Sequence, residues 1–128
     1  MSRYLLLLIA VCVTATSFSQ DFSNKGKDFY LCFPQHVPSG NSLATLSIYI
    51  TSDVPSTGTI TMANGAFSAT FNINAGNFLI QSIPIPHAAA HISNAESFMI
   101  IKKSIRIKVD AGKPAVVAYA QEIGRAHV

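Results

Sequence analysis

The chain has 128 residues, 49% of them hydrophobic and only 12% charged, with a formal net charge of +3. Charge this mild does not imply a nucleic-acid partner, which asks for a dense basic face, and none is expected. The length allows one small domain with a modest apolar core.

Met1 to Ser19 reads as a secretory signal. Arg3 supplies a short positive start, Leu5 to Val13 an apolar run, and Ser17-Phe18-Ser19 small residues at the two positions a signal peptidase reads, so cleavage is expected before Gln20. The apolar run falls short of the ~20 residues a membrane span needs, and no transmembrane segment is expected after signal removal. Cys12 raises a lipid anchor, but Val11 stands where a lipoprotein signal takes Gly or Ala, and that reading is set aside. The expected localisation is secreted, extracellular or cell-surface. Loss of the signal leaves Cys32 without an internal disulfide partner.

Short extended runs follow, separated by turn residues. Asp28 to Phe33 alternates, with Phe29, Leu31 and Phe33 on one face, and Pro34 ends it. Pro38-Ser39-Gly40-Asn41 is a loop. Ala44 to Thr51 is the cleanest strand, with Ala44, Leu46, Ile48 and Ile50 facing one way and Thr45, Ser47, Tyr49 and Thr51 the other. Gly58 to Met62 is a short strand, and Asn64-Gly65 favours a tight hairpin into a return strand on which Phe67, Ala69, Phe71 and Ile73 alternate. After Asn74-Ala75-Gly76-Asn77 comes a strand from Phe78 to Ile83. Ile83-Pro84-Ile85-Pro86 must be extended or irregular, because neither proline can donate to a ladder.

His87 to Ser97 has room for one helical turn. Phe98 to Ile101 and Ser104 to Val109 resume strand character, and Ala115 to Gln121 begins a buried strand. Strands and turns recurring every ~8–12 residues indicate an all-β antiparallel sandwich-like module. The tail, Glu122 to Val128, reads Glu-Ile-Gly-Arg-Ala-His-Val. One frame of a common short-read sequencing adapter encodes those residues, and they are expected to be an artefact. The expected organisation is therefore a signal at 1–19, an all-β extracellular binding-type domain at 20–121, incomplete at the C-terminus, and an artefact at 122–128. Within 20–121, seven basic residues (Lys25, Lys27, Lys102, Lys103, Arg106, Lys108, Lys113) face five acidic ones (Asp21, Asp28, Asp53, Glu96, Asp110), a net charge near +2.

Chemistry-bearing groups are sparse. His87 and His91, four apart, share a face if helical, as zinc can require. With only His36 and Glu96 as further donors, a polar turn that happens to hold two histidines is the favoured reading, and no metal or cofactor is expected. Cys32 with His36 as base is a conceivable nucleophile, but a thiol between aromatic residues on a strand is more often a buried hydrophobe or half of a bridge. Lys102, Lys103, Arg106 and Lys108 form a basic cluster. It either meets acidic polysaccharide or a membrane surface or, the favoured reading, keeps a strand's solvent face from pairing. The carboxylates lie far apart, and no nucleophile elbow or phosphate-cradling glycine loop is present, so no catalytic residue is assigned.

Asn24-Lys25-Gly26-Lys27-Asp28-Phe29-Tyr30-Leu31-Cys32-Phe33-Pro34, directly after a signal, resembles the opening of the IgGFc-binding protein N-terminal domain family. Ser104 to Gln121 looks like that family's segment of a strand, Asp-x-x-Pro and Val-Val-x-Tyr, and Gly76 to Pro86 is similar to a region in which a strand leads to an Ile-Pro element. The resemblance implies an all-β extracellular binding or adhesion module at the front of a long exported protein of Bacteroidetes-like bacteria. The family supplies no catalytic motif, so no functional residue is carried over.

The expected function is non-enzymatic binding of an extracellular protein or glycan. Tyr30, Tyr49 and the loop from His36 to Asn41 are the candidate contacts, since loops on a rigid β scaffold are where binding usually sits. The rival is an accessory region of an exported hydrolase whose active site lies beyond this sequence. More β repeats further along the gene favour the first, and paired carboxylates or a Ser/His/Asp set the second.

Overall fold

Alternation of side chains along extended backbone builds this fold. The computed structural model describes residues 24–35, 44–77 and 79–123. The described strands are β1 (Asp28–Leu31), β2 (Phe33–Pro34), β3 (Thr45–Thr51), β4 (Ser56–Met62), β5 (Ser68–Ile73), β6 (Ile80–Ile85), β7 (His91–Ile92), β8 (Ile105–Val109) and β9 (Val117–Ile123). A four-residue helix, α1 (His87–Ala90), precedes β7. Leu46, Ile48 and Ile50 of β3 are buried, as are Ile60 and Met62 of β4, Phe71 and Ile73 of β5, Ile83 and Ile85 of β6, and Ile105, Ile107 and Val109 of β8. Successive side chains of a strand point to opposite faces, so each set lines one side.

Those sides meet. One sheet has the order β1-β8-β4-β5 and the other β6-β3-β9, all neighbours antiparallel, and their inner faces contribute to a single apolar cluster. The fold is all-β and sandwich-like, as the alternation predicts. A two-residue parallel pair, β2 with β7, is an addition that alternation does not announce. Of the predicted core positions, Phe29 and Leu31 are only partly buried against the cluster, whereas Phe33 is sealed.

The turns behave as their residues dictate. Gly65 adopts φ +73° between β4 and β5, a conformation that costs glycine little, and its N–H donates to the Met62 carbonyl at 2.9 Å. The Asn64 side chain accepts from the Ala66 N–H at 2.9 Å. Gly58 has a different reason to be glycine: a Cβ there would run into the Lys108 carbonyl of β8 and the Phe71 ring. Three strands pack closely because that position is bare. Pro84 sits inside β6, opposite Ser47, on the outer edge of its sheet, where a missing N–H breaks no ladder. The buried serines are satisfied, with Ser56 Oγ donating to the Pro114 carbonyl at 2.8 Å.

Three expectations need correction. Phe98 to Ile101 is not a strand but turn and irregular chain. It is a consecutive apolar run without alternation, it follows the 3-10 turn at Asn94–Glu96, and no described strand lies alongside to pair with it. β9 is not a buried strand. It is an edge, mostly exposed or half-buried, and the sealed residue there is Val116, which pairs with Gly26 instead. Third, the extended run from Asp28 breaks at Cys32 into β1 and β2, because the two halves pair with different strands. The last strand also extends through Glu122 and Ile123, opposite Leu46 and Thr45. Backbone pairing is indifferent to side-chain identity, so two residues of the tail can continue the ladder. The signal segment, residues 1–19, lies outside the described residues.

Candidate functional site

The outward face of the three-stranded sheet carries the first candidate surface. Register places Ser82, Tyr49 and Tyr119 side by side across β6, β3 and β9, with Ile80, Thr51 and Val117 in the next row. The Tyr49 and Tyr119 rings stack, with centroids 5.3 Å apart and planes 12° from parallel. Cross-strand aromatic pairs of this kind stiffen a sheet and hold each ring in one orientation. Ile80 and Tyr119 are among the exposed large apolar residues. The result is a partly apolar face, with aromatic rings held on strands rather than on a loop. It suits the apolar face of a sugar ring or a flat patch of protein.

Tyr30 belongs to the other sheet. It is exposed on β1, and the Arg106 guanidinium lies over its ring, 5.5 Å from the centroid. Arg106 also makes a two-pronged ion pair with Asp28, Nε to Oδ1 at 2.9 Å and Nη2 to Oδ2 at 2.6 Å. The Asp28 carboxyl is held below its ordinary range chiefly by that hydrogen bond, and Arg106 is pushed further up for the same reason. Tyr30 is thus the cap of an ion pair, and the fold does not bring it together with Tyr49. His36 and Asn41 lie outside the described residues.

The basic cluster comes apart in three dimensions. Arg106 is spent on Asp28, and Lys103 Nζ donates to the His91 carbonyl at 2.9 Å and to the Glu96 carboxylate at 3.0 Å. Lys102 and Lys108 remain exposed. β8 is an inner strand between β1 and β4, so its charges do not guard a sheet edge. That favoured reading of the cluster is corrected: two of its four members close ion pairs.

His87 and His91 do lie together, their rings stacked at 4.4 Å and 18°. His87 is pushed below its ordinary value by burial first and by the neighbouring His91 second, while Glu122 pulls the other way. Among the described residues no group of three or more His, Cys, Asp or Glu is placed to hold a metal ion. Cys32 is exposed rather than buried, on the side of the extended run opposite to Phe29, Leu31 and Phe33.

Sequence reasoning passed over a second surface. In the segment that follows the Asn94–Glu96 turn, Phe98 is 105% exposed, Met99 64% and Ile100 102%. Their backbone is pinned from below. Ser93 and Glu96 form a reciprocal cap, with the Ser93 N–H donating to Glu96 at 2.9 Å, and the Met99 N–H reaches back to the Glu96 carbonyl at 3.0 Å. The hydrogen bonds from Lys103 and Ser93 hold the Glu96 carboxyl at about 2. The Asn94 N–H donates to Gln35 Oε1 at 2.9 Å, tying the segment to the end of β2. The sequence signal was available: four consecutive apolar residues that fit neither a period of two nor a helix.

Compared with known protein families, with curated proteins and with solved structures, the chain matches none.

Proposed function

We propose that this chain is an exported, non-enzymatic β module that binds an extracellular protein or glycan. Its contact surface is the outward face of β6, β3 and β9, centred on Tyr49 and Tyr119. The observation that carries the reading is the fixed stack of those two rings, at 5.3 Å, among exposed apolar neighbours on a rigid sheet. Tyrosine is enriched at binding surfaces because it offers a large rigid contact at small entropic cost, with a hydroxyl for polar partners. Export rests on the signal-like start from Arg3 to Ser19. The resemblance of Asn24–Pro34 and Ser104–Gln121 to the IgGFc-binding protein N-terminal domain family points the same way.

The test is an array of immobilised glycans and extracellular proteins probed with the secreted chain and with a Tyr49→Ala/Tyr119→Ala variant. The intact chain should retain at least one partner, and the variant should lose about tenfold or more in affinity for it. Equal binding by the two forms, or turnover of an arrayed substrate, contradicts the proposal.

A further inference from the structure

We propose that residues 97–103 form a membrane-docking tip, which inserts Phe98, Met99 and Ile100 into the interfacial layer of an anionic lipid bilayer. The inference goes beyond the protein- or glycan-binding surface and uses none of its residues. Three consecutive large apolar side chains stand in water, two of them at full exposure. Exposed apolar residues scattered singly are ordinary, but a contiguous group marks a surface meant to be covered. Because no described residue shields Phe98 or Ile100, the group is a projection and not a groove among the described residues. A bilayer accepts such a projection without a complementary pocket.

Charge selects the kind of bilayer. From Ser93 to Ser104 the charged side chains are Glu96, Lys102 and Lys103, and Glu96 is closed on Lys103 at 2.8 Å. The charge left over is the exposed ammonium of Lys102, two residues from Ile100. The neighbouring β4–β5 turn, joined through the Ala63 N–H to the Ser104 carbonyl at 2.9 Å, is Ala-Asn-Gly-Ala and adds no carboxylate. Apolar residues beside lysine are the combination that interfacial segments use, with the apolar part below the headgroups and the cation at the phosphates. The hydrogen bonds at Ser93, Glu96 and Met99 hold the base of the tip in place before insertion.

The chain contains no tryptophan, so Phe98→Trp places a lone fluorescent reporter at the tip. The secreted chain is mixed with vesicles of phosphatidylcholine alone, or of phosphatidylcholine and phosphatidylglycerol in equal parts, and sedimented. Binding to the anionic vesicles is expected, with a blue shift of the Phe98→Trp emission. Phe98→Ser/Ile100→Ser should lower the bound fraction about tenfold, and Lys102→Glu should lower it severalfold, with unchanged circular dichroism in both. The proposal is overturned if the intact chain stays in the supernatant with both vesicle types, or if the double variant sediments like it. Equal binding to both vesicle types removes the anionic selectivity. A dimer that the double variant dissolves, without vesicle binding, assigns the tip to self-association instead.

Discussion

Ile105, Ile107 and Val109 of β8 are sealed between the two sheets, while Phe98, Met99 and Ile100, a few residues earlier on the same chain, stand in solvent. Hydrophobicity does not separate them. Period does: the β8 residues alternate with Arg106 and Lys108, so one face can be buried while the other stays wet, whereas the earlier run offers apolar side chains in every direction. β8 also has β1 and β4 alongside to complete its ladder, and the tip has no such neighbour among the described residues. A fold accepts apolar residues only where backbone hydrogen bonds can be satisfied as well. What it leaves outside is free to serve another molecule.

The comparison is sharpest in its energetic consequences. Ile107, fully buried and flanked by Phe29 and Ile60 in register, should lose about 2–5 kcal/mol on Ile107→Ala through lost burial and the cavity left behind. Urea unfolding measures this as a fall in midpoint at unchanged slope. A loss within about 0.5 kcal/mol, the range of surface substitutions, would mean that the sheets do not close over β8.

A smaller effect is expected at the base of the tip, where Glu96 titrates at about 2 instead of its ordinary 4.5. The group is depressed in the folded state, so its contribution is complete above about pH 4.5 and is lost as pH falls toward 2. The protection of the Ser93 and Met99 amides, taken relative to intrinsic exchange at each pH, should therefore fall from pH 5 to pH 2.5. Glu96→Gln should show fast exchange at both pH values. Unchanged protection in the intact chain between the two pH values breaks the link between Glu96 and the pinned segment.

How legible this was depended on how local the deciding contacts are. The alternation of Leu46, Ile48 and Ile50, the Asn64-Gly65 hairpin and the extended Ile-Pro run are written in neighbouring residues, and each appears where it was expected. Tyr49 was likewise legible as an outward residue, because it sits opposite to the core set of its strand. Its stacking partner was not, since Tyr119 joins it only through the β3–β9 register, a contact across 70 residues of sequence. The closure of Arg106 on Asp28 is long-range in the same sense, whereas Lys103 closes on Glu96 only seven residues away; together they dismantle a basic cluster that looks continuous in the sequence. The edge position of β9 depends on strand order, which alternation does not encode, whereas the exposure of Cys32 follows from alternation, since it faces away from Phe29, Leu31 and Phe33. Phe98 to Ile101 has β propensity without a period of two, and propensity without a partner strand does not make it a strand.

The most direct test of the claim that the tip serves another molecule, not the fold, is equilibrium unfolding of Phe98→Ser/Ile100→Ser beside the intact chain. The two midpoints should agree to within about 0.5 kcal/mol, as they do for surface changes that touch no packed feature. A loss of about 2 kcal/mol or more, the size expected for emptying a core position, would place those side chains inside the folded structure and contradict the account.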